Sequence, residues 1–197
     1  MRKAQLKRKT KETEVSVSLN IDGKGRYMVD TPIGFFSHML ETFSKHSLCD
    51  IKLKAKGDLQ VDQHHLVEDC GVVLGKAFSL TLGGKKGINR AGYFIFPMDD
   101  ALAIVACDLG GRPFLQFKAT FRRRFCGELE TDLIEDFFYG FAVGAAANIA
   151  IRVASGRNDH HKIEAIFKAF AKAMKMACSK DRRMIKEIPS TKGVIQI

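Results

Sequence analysis

The pattern His-His-x-x-Glu occurs twice in this chain, as His64, His65 and Glu68 and as His160, His161 and Glu164. The copies stand 96 residues apart in a sequence of 197, and they use four of its six histidines. A motif repeated at half the chain length points to internal duplication, and a duplicated chain folds as two like units. The surroundings repeat as well. Val15, Val17, Leu19 and Ile21 alternate as a strand, and Asp22-Gly23-Lys24-Gly25 reads as a hairpin turn. Phe35, Phe36, Met39, Leu40 and Phe43 follow at helical spacing from about Gly34, then Ile51, Leu53 and Ala55 alternate again. The first doublet opens a helix through Val72, Val73, Leu74 and Ala77. The second half reads as a strand over 102–107, a turn at Gly110-Gly111, a return strand over 114–119, a helix over about 129–147 and a strand over 149–153. Its doublet opens a last helix, with Ile163, Ile166, Phe167, Phe170, Met174 and Ala177 as an apolar stripe. The expected fold class is α+β, with internally duplicated hairpin-helix-strand-helix halves, two sheets and paired helices. No linker rich in Pro, Gly and Ser divides them, so 1–197 is expected as a single catalytic domain with approximate halves 12–90 and 91–197.

The formal charge of +10 invites a nucleic-acid reading, and its distribution argues against one. Residues 1–11 carry six basic side chains and no acid, and residues 162–197 carry a net +6, which leaves −2 for everything between. No RNA-binding aromatic signature or zinc-finger spacing lies in that middle. The first segment is expected as a basic, solvated N-terminal arm, and steering of a small anion is the next use for the charge. The run 137–151 is too short and too rich in Gly and Ala for a membrane span and reads as a buried helix. No secretory signal is recognised. Five scattered cysteines without a Cys-x-x-Cys pair fit a reduced compartment, so a cytoplasmic location is expected.

On a helix, residues three or four apart share a face, so Glu68 can reach the same ion as His64 or His65, and Glu164 the same ion as His160 or His161. Adjacent histidines diverge by about 100° on a helix, so one doublet can serve two ions. Imidazole with carboxylate suits borderline divalent ions such as Mn, Fe, Co or Zn. A single such pair is ordinarily surface decoration; two copies, each with its Glu, favour metal binding. The repeat points to two further ligands. His38 precedes the first doublet by 26 residues and Asp136 precedes the second by 24, each on the equivalent helix. His46 has no counterpart and is read as structural or as a surface residue. Arg90, Arg112 and the segment Ser190-Thr191-Lys192-Gly193 together suggest recognition of a phosphate. Arg122-Arg123-Arg124 reads as a charged strand end or an assembly contact.

These segments resemble the imidazoleglycerol-phosphate dehydratase family of histidine biosynthesis over nearly the whole chain. The resemblance rests on Arg8 to Thr13, Gly34-Phe35-Phe36-Ser37-His38-Met39-Leu40, Gly57 to Asp69, Gly87 to Arg90, and Pro97-Met98-Asp99-Asp100-Ala101-Leu102. It continues through Asp108-Leu109-Gly110-Gly111-Arg112-Pro113, Asn158 to Ala169, and Ile188 to Val194. It implies a duplicated fold, two Mn ions per active site, and a homo-oligomer of 24 subunits built from trimers, with sites between subunits. The implied metal ligands are His38, His64, His65, Glu68, Asp136, His160, His161 and Glu164. Phosphate binding maps to Arg90, Arg112, Lys168, Ser190 and Lys192, and substrate contact to Glu14 and Asp99. The sequence departs from the family pattern at Pro32, Ser37, Asp100 and Asp136. The implied substrate is a small phosphorylated imidazole, D-erythro-imidazole-glycerol phosphate, dehydrated to imidazole-acetol phosphate, with no nucleic acid or membrane as partner. The C–H bond beside the imidazole is too weakly acidic for ordinary base removal, so ring deprotonation and Lewis acidity are expected to assist. Glu14, Glu68, Asp99 and Glu164 are the candidates for moving the proton. A dinuclear phosphate-ester hydrolase and a basic RNA-binding protein are the rival readings; the second leaves both doublets unexplained.

Overall fold

The computed structural model describes residues 1–195, and Gln196 and Ile197 lie outside the described residues. The first half runs β1 (Lys3–Lys9), β2 (Thr13–Asn20), β3 (Tyr27–Asp30), α1 (Gly34–Ser47), β4 (Asp50–Gly57) and α2 (His64–Leu82). The second runs β5 (Ala91–Met98), β6 (Ala101–Asp108), β7 (Phe114–Lys118), α3 (Leu133–Ala145), β10 (Asn148–Ser155) and α4 (Asp159–Cys178), with a small hairpin of β8 (Phe125–Cys126) and β9 (Leu129–Glu130) before α3. Each half builds one four-stranded mixed sheet, in the orders β1-β2-β4-β3 and β5-β6-β10-β7. The two orders are topologically the same, so the α+β duplication expected from the doublets is present.

Beyond β5, which is not among the expected strands, and β9, which occupies the expected start of the helix from 129, three details of strand order differ from the sequence reading. The segment expected as a solvated arm is β1, a full edge strand registered against β2 from Lys3↔Asn20 to Lys9↔Glu14. Its lysines face out while Leu6 packs against the core, a disposition that also protects the sheet edge. The first unit therefore begins at Lys3 rather than near residue 12. Second, the turn at 22–25 does not make a hairpin. Its Lys24 and Arg26 N–H groups donate to the Asp50 carboxylate (2.8 and 3.0 Å), which carries β3 past β2 to the far side of β4, where it runs parallel. Third, the loop at Gly110-Gly111 is captured in the same way. Gly111 and Phe114 N–H donate to the carbonyls of Ala146 and Ala147 (3.0 and 3.1 Å), so β7 lies parallel to β10 and not beside β6.

The layers are sheet, helix pair, helix pair, sheet. Inward residues of β2 (Val15, Val17, Leu19) and β6 (Ala103, Val105) cover helices whose phenylalanines interlock, Phe43 stacking on Phe170 at 5.2 Å and Phe141 meeting Phe170 edge-on at 5.0 Å. The helices pair across the halves, α2 with α3 and α1 with α4. The first of these contacts is backbone to backbone. A Cβ at Gly71 would collide with the Phe137 carbonyl and one at Gly144 with that of Val72, so glycine alone lets α2 and α3 approach this closely.

The outer faces of the two sheets have diverged. On the first, Lys3, Lys7, Lys52, Lys54 and Lys56 point outward with Ser16 and Ser18. On the second, Tyr93, Ile95 and Phe114 are more than half exposed (66%, 54% and 59%), beside Leu102, Ile104 and Ala106. The second sheet thus leaves an open apolar face where the first presents a polar one.

Candidate metal centre and anion cavity

Both doublets sit at helix N-termini, and both are set by the same device. The His64 N–H donates to Asp62 (2.6 Å) and the His160 N–H to Asn158 (3.0 Å), two residues earlier in each case. An Asx side chain satisfies a free amide of the first turn and fixes where the following rings point. Asp62, one residue before the N-cap Gln63, and Asn158, the N-cap of α4, lie 96 residues apart, as the doublets do, and that spacing is the sequence signal for them.

Pairing of helices across the halves brings His38 of α1 to the second doublet on α4. Ligand atoms of His38, His160 and Glu164 lie within 4.8 Å of one another, close enough for one ion. Nε2 of His160 stands 3.3 Å from one Glu164 oxygen, and Lys168 Nζ takes the other at 2.9 Å. Burial pushes the Glu164 carboxyl up, but the hydrogen bond and charge of Lys168, with His38 and His160, bring it below its ordinary value. The related place at the first doublet holds His64, Glu68 and Asp136, the last from α3. Here the two ring nitrogens of His64 face different carboxylates, Nε2 toward Glu68 at 3.8 Å and Nδ1 toward Asp136 at 3.4 Å. This trio is grouped but does not converge on one point as the first does.

The second histidine of each doublet turns away, as a 100° step on a helix requires. His65 Nδ1 lies 3.2 Å from Asp58, and this hydrogen bond raises the pKa of the ring. His161 Nδ1 lies 2.7 Å from Asp100, leaving Nε2 directed at Asp99, 3.5 Å away. The His161 contact and the N–H groups of Arg157 and Asn158 hold Asp100 well below the usual carboxylate range. A carboxylate on Nδ1 fixes the tautomer that presents Nε2 as a ligand. Asp58 and Asp100 therefore orient the rings of His65 and His161, two candidate ligands. Sequence spacing alone did not assign these roles, because the two come from different elements, the loop before α2 and the β5–β6 turn. Glu14, on β2, is paired with Lys7 (2.6 Å) and Lys9 (3.4 Å). His46 stands edge-on to Phe96 at 5.6 Å, its pKa lowered by burial and by Lys168 and Lys172.

Asp159, between the cap and the second doublet, is buried with Lys162, their charged atoms 2.8 Å apart. It also accepts the N–H groups of Arg122 and Arg123, both at 2.8 Å. That is the placement of the arginine run in this chain: its backbone, not its guanidiniums, holds the start of α4. Asp159→Ala should cost about 3–5 kcal/mol in urea unfolding at neutral pH, because it leaves Lys162 buried and unpaired. Burial opposes ionisation of Asp159, and Lys162 with the two N–H groups outweighs it, so the folded pKa is lowered. The stabilisation is complete above the unfolded value of about 4 and is lost as pH falls through the lower folded value. The parent should therefore lose stability between neutral pH and pH 3 by more than Asp159→Asn does.

The basic residues gather at the other end of the second unit. Arg90, Gly110, Arg112, Ser190, Thr191 and Lys192 line a cavity of about 250 Å3. Arg90 donates twice to Asp108 (2.7 and 2.9 Å) and once to the Pro189 carbonyl (2.8 Å), so its fork ties the C-terminal segment to β6. Among the described residues Arg112 and Lys192 have no carboxylate partner, and their charges are free for an anion. Lys168 is not here; it lies beside Glu164. Helix α4 spans the gap, with His160 in its first turn and the Ala177 carbonyl accepting the Arg90 N–H at its far end, a separation of about 25 Å along the helix.

Residues 31–174 match the sequence model of the imidazoleglycerol-phosphate dehydratase family. The imidazoleglycerol-phosphate dehydratase of Koribacter versatilis is 53% identical over 195 residues, covering 99% of this chain and all of that one. That of Caldanaerobacter subterraneus is 50% identical over 195 residues, again 99% of this chain and all of the relative. Among solved structures, imidazoleglycerol-phosphate dehydratase from Staphylococcus aureus superposes with a TM-score of 0.82 at 35% identity, over 91% of this chain and 99% of that one. The enzyme from Pyrococcus furiosus, in complex with (S)-C348, gives 0.84 at 33% identity over 96% and 99%.

Proposed function

The chain belongs to the imidazoleglycerol-phosphate dehydratase family, hydro-lyases of histidine biosynthesis, and we propose that it dehydrates D-erythro-imidazole-glycerol phosphate to imidazole-acetol phosphate with two Mn ions per site. The observation that carries the metal part is the convergence of His38, His160 and Glu164 from two helices of different halves. Imidazole and carboxylate are a fitting donor set for Mn. His38, His160 and Glu164 would hold one ion and His64, Glu68 and Asp136 contribute to the other, with His65 and His161 turned to serve sites completed elsewhere. When bound, the ions supply Lewis acidity toward the substrate ring and oxygen.

The chain's own groups do the rest. Arg112, Ser190 and Lys192 bind the phosphate and orient the substrate. Lys168 holds one Glu164 oxygen and directs the other toward His160. Loss of water breaks one C–H and one C–O bond, so a carboxylate must take up a proton and the departing hydroxyl must gain one. Glu68 and Glu164 sit within the candidate metal clusters; Asp99 beside His161, and Glu14 on β2 with its carboxylate paired to Lys7 and Lys9, stand outside them as the other candidates to carry it.

A small phosphorylated imidazole cannot reach across the 25 Å or so between the cavity and the second doublet of one chain. The working site therefore takes its metal end from one copy and its phosphate end from another. The open apolar face of the second sheet supports such assembly, and we propose the family's 24-subunit arrangement of trimers. No helix among the described residues is long and apolar enough to cross a membrane, and a cytoplasmic site of action accords with the thiols being free. The Mn-loaded protein, given the phosphorylated imidazole-glycerol, should form the ketone without releasing inorganic phosphate. Phosphate release without ketone would instead identify a phosphate-ester hydrolase.

A further inference from the structure

Lys85 is one of the most deeply buried side chains in the molecule, 1% exposed, and none of the roles above uses it. It follows α2 in the turn Gly83-Gly84-Lys85, with a left-handed backbone (φ +55°) and its N–H bonded to the Leu82 carbonyl at 3.0 Å. Its ammonium runs inward and donates to the Leu109 carbonyl at 2.9 Å. Among the described residues no carboxylate lies within ion-pair distance of it. A buried cation without a counter-ion is costly, and chains do not keep one for packing when Met or Leu would fill the space.

Its surroundings say what the charge is for. Leu109 is flanked by Asp108, which holds Arg90, and by Gly110, which lines the anion cavity; the Leu109 N–H donates to the Arg90 carbonyl at 3.0 Å. Two residues beyond the lysine, the Gly87 N–H donates to the Glu187 carbonyl at 2.8 Å, tying the same turn to the C-terminal segment that supplies Ser190 and Lys192. The turn thus holds the chain just before Gly110 on one side of the cavity and the segment leading to Ser190 on the other. Asp108 is engaged by Arg90, so the neighbourhood carries excess positive charge until an anion enters.

We propose that Lys85 is a positioning residue for the phosphate end of the site: its buried ammonium fixes the peptide that joins Leu109 to Gly110 of the cavity wall and makes the cavity positive from beneath. The anion completes the charge balance that the free protein lacks. In accord with this, burial lowers the lysine's pKa, the Asp108 charge opposing that and Arg90 adding to it. The proposal rests on reading this cavity as the phosphate end of the dehydratase site.

The test uses assembled, Mn-loaded protein with orthophosphate as probe. Lys85→Gln keeps a donor for the Leu109 carbonyl but removes the charge, and Lys85→Met removes both. Both variants should bind orthophosphate about tenfold more weakly or worse, and KM should rise far more than kcat falls. Without phosphate, Lys85→Met should be no less heat-stable than the parent, whereas a merely structural lysine would leave it weakened. Parent-like orthophosphate binding by Lys85→Gln overturns the proposal, as does a parent that binds no orthophosphate while still forming ketone. Weakened anion binding in the variants of a parent that forms no ketone would uphold the Lys85 role and refute the dehydratase reading.

Discussion

His160→Ala should lower kcat/KM for dehydration by at least about 10^3-fold, the equivalent of some 4 kcal/mol of transition-state stabilisation. This residue stands at the meeting point of its cluster, 3.3 Å from Glu164 and grouped with His38 from the opposite half. The fold is expected to survive, because the ring is exposed and the α4 cap uses only its backbone N–H. Three ligands converging on one ion act as a unit, so the effects should not add. His38→Ala combined with His160→Ala should be little worse than either alone. Asp100→Asn, which leaves the ligand in place but loosens the orientation of His161, should cost only about 10–100-fold. A graded series of that form, measured as ketone production with the metal content of each variant, separates ligand from orienting residue. Additive losses would show that these side chains act at separate sites.

The second large effect concerns the division of the site between chains. His160→Ala removes the metal end of its own copy, and Arg112→Ala with Lys192→Ala removes the phosphate end; each protein alone should be nearly inactive. When the two are unfolded together, mixed in equal amounts and reassembled with Mn, about a quarter of the sites should combine an intact metal end with an intact phosphate end. Activity should recover to that order relative to parent taken through the same cycle. The reason is the length of α4, which keeps the two ends of one chain about 25 Å apart. No recovery, with mixed assemblies formed, would mean that one chain supplies both ends.

The doublets made the duplication and the fold class legible, because local periodicity and residue chemistry are properties of short segments. Strand order was not legible in the same way. Asp22-Gly23-Lys24-Gly25 has the composition of a hairpin turn, and what redirects it is the carboxylate of Asp50, which only the folded chain brings near. In β1 the alternation of Leu6 with lysines was hidden by the density of positive charge, which also suits an edge strand. Which ligand meets which depended on the helices pairing across the halves, and part of that pairing rests on the bare backbone at Gly71 and Gly144. The sequence held those glycines in view without saying what they face. Arg90 shows the converse: expected at the phosphate, it does line the cavity, but its fork is spent on Asp108 and Pro189.

Dehydration is proposed to depend on metal held by His38, His160 and Glu164, together with the first-doublet group of His64, Glu68 and Asp136. The direct measurement is ketone formation from the phosphorylated imidazole-glycerol by chelator-treated protein, before and after Mn is added back, with bound metal counted per chain. The predicted result is loss of activity on chelation and return of activity as Mn binding approaches two ions per chain. Full dehydratase activity in metal-free protein would show that these residues do not act through a metal.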